Sequence, residues 1–177
     1  MKIFETERLT GHSLSLEDYL QFEQEIEPNW IADINPYRHL ITNPGPLPYR
    51  IPRVKKNPEF AEIGLVLAIE RSTGNIIGSA GFHDFPNENG MIELGFEIVP
   101  VKQNQGFGIE LLHGMWKMIC QRPEVETLRY TVSPENSPSM HIINKLNFTL
   151  VGEQNDPEDG VELIYEKSVS QYLRGAH

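Results

Sequence analysis

The chain has 177 residues and a mass of 20.2 kDa, enough for one sizeable core without disulfides or metals. Its 25 acidic and 15 basic residues give a formal charge of −10 and a pI near 5.0. That excludes the basic footprint of a general nucleic-acid binder; it suits a cationic or amine partner, or else reflects the commoner case of a solvated acidic surface, while 39% apolar and 23% charged residues fit neither a disordered tail nor a membrane protein.

No stretch reaches the ~18 apolar residues of a membrane span, and the segment Met1 to Arg8 has no apolar signal core. The expected location is cytoplasmic, and the expected organisation is one domain over 1–177, as a monomer or homodimer. The single cysteine, Cys120, excludes an intramolecular disulfide, and no histidine pair has metal-ligand spacing. No metal is expected.

In chain order, residues 7–14 read as a strand. Ser15 then caps a helix expected to run to about Glu25, with Glu17 and Asp18 in its first turn. Residues 36–58 hold Pro36, Pro44, Pro46, Pro48, Pro52 and Pro58, together with a basic cluster of Arg50, Arg53, Lys55 and Lys56. Proline removes backbone donors and disfavours helix before it, so an irregular excursion is expected, either a solvated loop or a flap over a cleft. Ile63, Leu65, Leu67 and Ile69 alternate as in a strand, and Ile76 to His83 and Ile92 to Ile98 follow as two more. The turns between them, Ser72–Asn75 and Pro86–Gly90, make the three an antiparallel meander.

Ile109, Leu112, Trp116 and Ile119 are spaced 3, 4 and 3 apart, which is one face of a helix over 106–121. Residues 127–133 read as a strand. The order strand, helix, strand (91–99, 106–121, 127–133) predicts a parallel crossover. Asn136 caps a helix over Ser137–Leu146 with Pro138 at its start. Two strands, Phe148–Glu153 and Val161–Lys167, close the fold around the polar turn Asn155 to Gly160. The class is mixed α/β: a mostly antiparallel sheet with a βαβ unit and helices on both faces.

The densest chemistry lies between Val99 and Gly108, where a strand ends and a helix begins with two glycines. The N–H groups of a helix start have no internal partner and the dipole there favours an anion, while glycine admits a phosphate close to the backbone. The segment lacks the Gly-Lys-Ser/Thr of a P-loop, and Leu111 stands where a dinucleotide fingerprint needs its third glycine. By itself it is also open to reading as a glycine-assisted strand-to-helix turn.

A second segment runs from Asn136 to Phe148. Together the two resemble the GNAT superfamily of acetyl-CoA-dependent N-acyltransferases. Gln103, Gly106 and Gly108 match its Gln/Arg-x-x-Gly-x-Gly/Ala signature, and Asn136, Ser139, Lys145, Leu146 and Phe148 match the motif that follows. Phe4-Glu5-Thr6-Glu7-Arg8-Leu9, and Ile77-Gly78 through Ile92-Glu93-Leu94-Gly95-Phe96, are similar to the branch of ribosomal-protein N-terminal acetyltransferases. The resemblance covers nearly the whole chain except the proline-rich excursion. Three departures stand out. Residues 103–105 are Gln-Asn-Gln with only Lys102 as a nearby cation. Asn147 replaces a glycine. Ile143 stands where many relatives carry a tyrosine as general acid.

The resemblance implies acetyl-CoA as co-substrate, with its pantetheine arm along the strand edge at Ile98 and Val99. Its pyrophosphate would lie over Val101, Gln103, Asn104, Gln105, Gly106, Phe107 and Gly108, with Asn136 and Ser139 as further contacts. The acceptor would be a primary amine, on a small molecule or a protein N-terminus. Acyl transfer needs a deprotonated amine, a donor for the oxyanion and a proton for the leaving thiolate. Glu93, which shares a strand face with Glu97, is the first candidate base; the alternative is a structural strand glutamate. His83 is the second, because imidazole titrates near neutrality; the alternative is an ordinary strand-end histidine. Ser139 is the candidate proton donor to sulfur, or else a serine that only favours the helix start. Two functions accommodate these residues: an active N-acetyltransferase, and a non-catalytic coenzyme A-binding module, for which the missing tyrosine is the argument.

Overall fold

A computed structural model describes residues 1–156 and 160–175. It is mixed α/β, with eight strands and seven α-helices, and it divides into two compact units. The first comprises residues 1–83 and 96–118, the second residues 84–95 and 119–177.

In the first unit β1 (Lys2–Glu5), β2 (Leu9–Ser13), β3 (Val66–Glu70) and β4 (Ile76–Phe82) pair antiparallel in that order. The C-terminal half of β5 (Met91–Ile98) joins β4, and the Val99 N–H that follows it donates to Ile77 O at 2.9 Å. Gly78 is required here, because a Cβ on it would collide with the Glu97 carbonyl. The core is dense: Leu9, Ile63, Val66, Leu67, Ile76, Ile77 and Phe82 are each at most 1% exposed. Each such side chain contributes on the order of 1.5–3 kcal/mol when buried. The Phe4 ring wedges between Gly11 of β2 and Gly114 of α5 (Phe107–Ile119), and a Cβ on either glycine would strike it. Of the predicted face of α5, Leu112, Trp116 and Ile119 are buried and Ile109 is half-buried, while Leu111 and Met115 join the buried stripe.

Helix α1 (Leu16–Glu23) begins with the expected Ser15 cap, closed reciprocally by Asp18. Asp18 Oδ1 also accepts from Trp30 Nε1 at 2.9 Å, which ties down α2 (Asn29–Ala32).

Two expectations are corrected in this unit. Residues 36–58 are not irregular throughout, since Leu47–Lys56 is the helix α3. Pro46 and Pro48 sit at its start, where a missing N–H has no partner to lose. Its Leu47, Arg50, Ile51 and Val54 are buried, which offsets the lost bond at Pro52. Ile63 and Leu65 are not strand residues. Ala61–Gly64 is the one-turn helix α4, preceded by a 3₁₀ turn at Pro58–Phe60, and β3 starts only at Val66.

In the second unit the order is β5, β6 (Thr127–Val132), β8 (Gly160–Ser168), β7 (Thr149–Asp156). Strand β6 runs parallel to β5 from Met91↔Thr127 to Glu93↔Arg129, as the predicted crossover requires. The other pairings are antiparallel. Helix α6 (Ser137–Lys145) precedes β7, and α7 (Val169–Gly175) was not foreseen. Asn147 stands at φ 53°, a left-handed position that asparagine accepts in place of glycine. Of the polar turn at 155–160, residues 157–159 lie outside the described residues. No helix among the described residues is long and apolar enough to cross a membrane.

Candidate active site

The candidate anion cradle lies in the first unit on one continuous segment. After β5 the chain makes a 3₁₀ turn at Pro100–Lys102 and then a loop over 103–106 before α5 starts. Two residues shape the loop: Asn104 at φ 59° and Gly106 at φ 82°. Side chains fold back to stiffen it. Gln103 Nε2 donates to Ile98 O at 2.8 Å, and Gln105 Nε2 donates to Val101 O at 3.0 Å. The first intrahelical bond runs from Glu110 N to Gly106 O at 3.2 Å. A helix whose bonds begin there leaves its opening N–H groups, around Phe107 and Gly108, directed beyond the helix. Gly106 is exposed, so the cradle is open to solvent.

Charge arrives from a residue to which the sequence motifs gave no role at this turn. Arg8, in the turn between β1 and β2, donates from Nη1 to Gln105 O at 2.9 Å. Its guanidinium lies 4.3 Å from the centre of the Phe107 ring. A Cβ on Gly106 would stand 3.3 Å from Arg8 Nη2. The guanidinium therefore borders the turn that lacks a basic residue of its own. Its Nε bonds Glu110 Oε2 at 2.6 Å, and Glu110 Oε1 accepts from Thr6 Oγ1 and the Arg8 N–H at 2.6 and 2.7 Å. Burial pushes the Glu110 carboxyl up, but the bonds from Thr6 and Arg8 outweigh it and the net shift is downward. Lys102, the cation expected to serve the turn, is bound by Glu70 at 2.8 and 2.9 Å. That hydrogen bond raises the Lys102 pKa and lowers the Glu70 pKa.

The strand edge is partly spent. Ile98 and Val99 are 5% and 4% exposed, the Val99 N–H serves β4, and Ile98 O accepts from Gln103.

His83 lies exposed at the end of β4, and its carbonyl accepts from Arg53 Nη1 of α3 at 2.6 Å. A different histidine is buried in this unit. His39 Nε2 meets Ser79 Oγ of β4 at 2.9 Å. The Asn35 side chain clamps both the N–H and the C=O of His39, at 2.9 and 3.0 Å. Burial pulls this imidazole down from 6.5 to about 4, so it is neutral at physiological pH. No spacing in the sequence distinguishes it.

The second unit holds the other candidates. Glu93 is half-buried on the face of β5 opposite Ile92 and Leu94, and its register partner is Arg129, which pairs with Glu166 at 2.6 Å. Asn136 Oδ1 caps α6 by accepting from the Ser139 N–H at 3.2 Å. Ser139 is 8% exposed, and its Oγ accepts from the Tyr130 hydroxyl at 3.2 Å. Burial pushes the Tyr130 phenol up to about 12. Ile143, where relatives carry their acid, is 2% exposed and part of the core. A phenol thus reaches Ser139 from β6 rather than from α6. The strand reading of residues 127–133 gave Tyr130 no role.

A βαβ crossover whose helix opens on a glycine turn, fed by an antiparallel meander, is the arrangement of an acyl-coenzyme A transferase fold. Residues 19–149 match the acetyltransferase (GNAT) domain family, and the chain belongs to that family of acetyl-CoA-dependent acyltransferases. Among curated relatives, the uncharacterized N-acetyltransferase p20 of Bacillus licheniformis is 26% identical over 161 residues, covering 89% of this chain and 88% of its own. Two solved structures share the fold. RimL, a ribosomal alpha-N-protein acetyltransferase in complex with coenzyme A, has a TM-score of 0.66 at 15% identity, over 95% of this chain and 98% of its own. A spermidine N-acetyltransferase chimera from Vibrio cholerae and hSSAT has a TM-score of 0.66 at 15% identity, over 94% and 99%.

Proposed function

We propose that the chain transfers the acetyl group of acetyl-CoA to a primary amine by direct attack in a ternary complex. The observation that carries this reading is the cradle: Gly106 at φ 82°, the opening turn of α5 and the Arg8 guanidinium at one place. These residues fit a pyrophosphate. Helix-start N–H groups accept an anion, a glycine admits its approach, and a guanidinium supplies two-pronged charge-assisted bonds. Val101, Gln103, Asn104, Gln105, Phe107 and Gly108 complete the cradle, while Ile98 and Val99 line the path of the pantetheine arm, with Asn136 contributing to it.

In the reaction, the amine nitrogen forms a bond to the thioester carbon, the carbon–sulfur bond breaks, and the electron pair leaves with sulfur. Glu93 takes the proton of the amine, directly or through water; His83 is the second candidate for that role. The leaving thiolate receives its proton from the Ser139 hydroxyl, which Tyr130 resupplies. Burial holds the Tyr130 phenol near 12, so it stays protonated at working pH and keeps its hydrogen bond to Ser139. The acceptor amine belongs either to a small cation or to a protein N-terminus, the two classes named for the structural relatives.

Calorimetry with coenzyme A on the wild type and Gly108→Val tests the cradle. The variant is expected to lose binding while staying folded, and unchanged affinity would refute the assignment. Thiol release from acetyl-CoA with a panel of polyamines, amino acids, aminoglycosides and peptides tests turnover. Binding without release for any amine identifies the non-catalytic module instead.

A further inference from the structure

The second unit holds a polar group that the acyl transfer described above does not use. Among the described residues, Thr131 Oγ1 is buried and has no hydrogen-bond partner. Nearly all buried hydroxyls are paired, so one that is not marks a bond left for another molecule to complete.

Thr131 follows Tyr130 on β6, and consecutive strand residues leave the sheet on opposite faces. Tyr130 turns to α6 and bonds Ser139. Thr131 shares the other face with Arg129 and, through the parallel pair Glu93↔Arg129, with Glu93. That pair is the last of the parallel register; carried on by two residues, the register would bring Gly95 level with Thr131. Glycine leaves the place beside Thr131 without a side chain from β5. On the other flank Thr131 is level with Ile164 of β8, and Ile164 with Gly152 of β7, where a Cβ would meet nothing within 4 Å. Arg129 does not serve the hydroxyl, because its Nε and Nη2 go to Glu166 at 2.9 and 2.6 Å.

Thr131 as a residue is half-exposed, although its Oγ1 is not. One staggered step about χ1 brings the hydroxyl to the open side of this face, and strands accept more than one such rotamer. A nitrogen seated between Glu93 and Thr131 then meets a carboxylate and a hydroxyl, both able to accept an N–H.

We propose that Thr131 is a specificity-determining residue: its hydroxyl accepts a hydrogen bond from the attacking nitrogen and so favours primary over secondary amines. The assignment rests on the transfer reading above. A neutral primary amine carries one lone pair and two N–H bonds. The lone pair forms the bond to the thioester carbon, and the carbon–sulfur pair leaves with sulfur. One N–H proton passes to Glu93 and leaves its electron pair on nitrogen. The other N–H persists in the amide product and is the one donated to Thr131 Oγ1. A secondary amine has a single N–H, which Glu93 must take, and nothing remains for Thr131.

The test compares each amine that supports thiol release with its N-methyl counterpart, glycine and sarcosine being the smallest such pair. kcat/KM is measured for the wild type, Thr131→Val and Thr131→Ser, with melting temperatures on the same samples. Valine keeps the branched shape and removes the hydroxyl, while serine keeps the hydroxyl. The wild type is expected to prefer the primary amine. Thr131→Val is expected to lose about tenfold with the primary amine and little with the N-methyl amine, as one hydrogen bond to a nitrogen that gains charge implies. Thr131→Ser is expected to retain most of the preference. A threonine that only packs would change both amines alike, with or without a change in melting temperature. No preference in the wild type, or a preference unmoved in Thr131→Val, overturns the assignment while leaving the transfer reading in place. A wild type that binds coenzyme A but releases thiol with no primary amine removes the transfer reading, and this assignment with it.

Discussion

Arg8 makes contacts that a motif search cannot find. One guanidinium meets Glu110, the Gln105 carbonyl and the face of Phe107, although Arg8 lies about a hundred positions before them in the chain. The glycine turn itself was legible because its signal is local: two glycines at fixed spacing between a strand and an amphipathic helix. Arg8→Ala is expected to weaken coenzyme A about tenfold, since a charge-assisted bond is worth ~1.5–3 kcal/mol. Arg8→Lys should recover only part of this, because an ammonium lacks the planar fork. Calorimetry on both variants checks it.

A second residue-scale expectation concerns Ser139 and Tyr130. If they act as one proton-donating pair, Ser139→Ala and Tyr130→Phe each lower the single-turnover rate by about 10²-fold, and the double variant loses little more. Independent, multiplicative losses would separate their roles. The serine was legible from the Asn136 motif. Its partner was not, because nothing in an alternating strand tells which buried tyrosine turns its hydroxyl to a neighbouring helix.

His39 gives the chain a specific acid sensitivity. In the unfolded chain an imidazole titrates near 6.5, whereas burial holds it at about 4 in the fold. The folded state therefore binds fewer protons between these values. Stability present above pH 6.5 is lost as pH falls toward 4, by at most ~1.4 kcal/mol per pH unit. Urea midpoints measured across this window should decline, and His39→Gln should flatten the decline. A slope unchanged in the variant would assign it to other groups.

Among the elements, α3 is the one composition concealed most effectively. Its prolines read as breakers, yet Pro46 and Pro48 occupy the first turn, the one place in a helix where proline does no harm. The alternation at 61–69 misled in the opposite direction. A single helical turn followed by a strand produces the same apolar spacing as a longer strand, and only the contacts of Ile63 distinguish them. The meander, the crossover helix and α6 were legible because each carries several turns of one period between clear stops. With α3 packed by Leu47, Ile51 and Val54, deleting 43–58 would dismantle the core, so a point change is the sharper probe. Arg53→Ala removes the tie from α3 to the His83 carbonyl. It is expected to change the acceptor KM by more than the acetyl-CoA KM; steady-state kinetics with both substrates varied would show equal effects if α3 is only a brace.

At the scale of the whole molecule, coenzyme A should act as a folding ligand. A ligand that binds only the native state at a hundred times its Kd adds about 2.7 kcal/mol. Thermal unfolding is therefore expected to shift upward with coenzyme A in the wild type, and the shift should vanish in Gly108→Val. A shift that survives in this variant would place the cofactor elsewhere. The net charge of −10 was the one global property legible at once.

The Phe4 wedge has a consequence for how the chain is born. Its ring rests between Gly11 and Gly114, and the unit around it takes residues 1–83 and then 96–118. A ribosome adds roughly 5–20 residues per second. One side of the ring is thus in place almost immediately, while the helix that covers the other side is still being made for roughly five to twenty seconds. Once β4 has been made and until α5 follows, β1 to β4 offer an uncovered apolar face to whatever surrounds the ribosome. Chains stalled before α5 has emerged should be cleaved rapidly by added protease, and chains stalled well beyond it should resist.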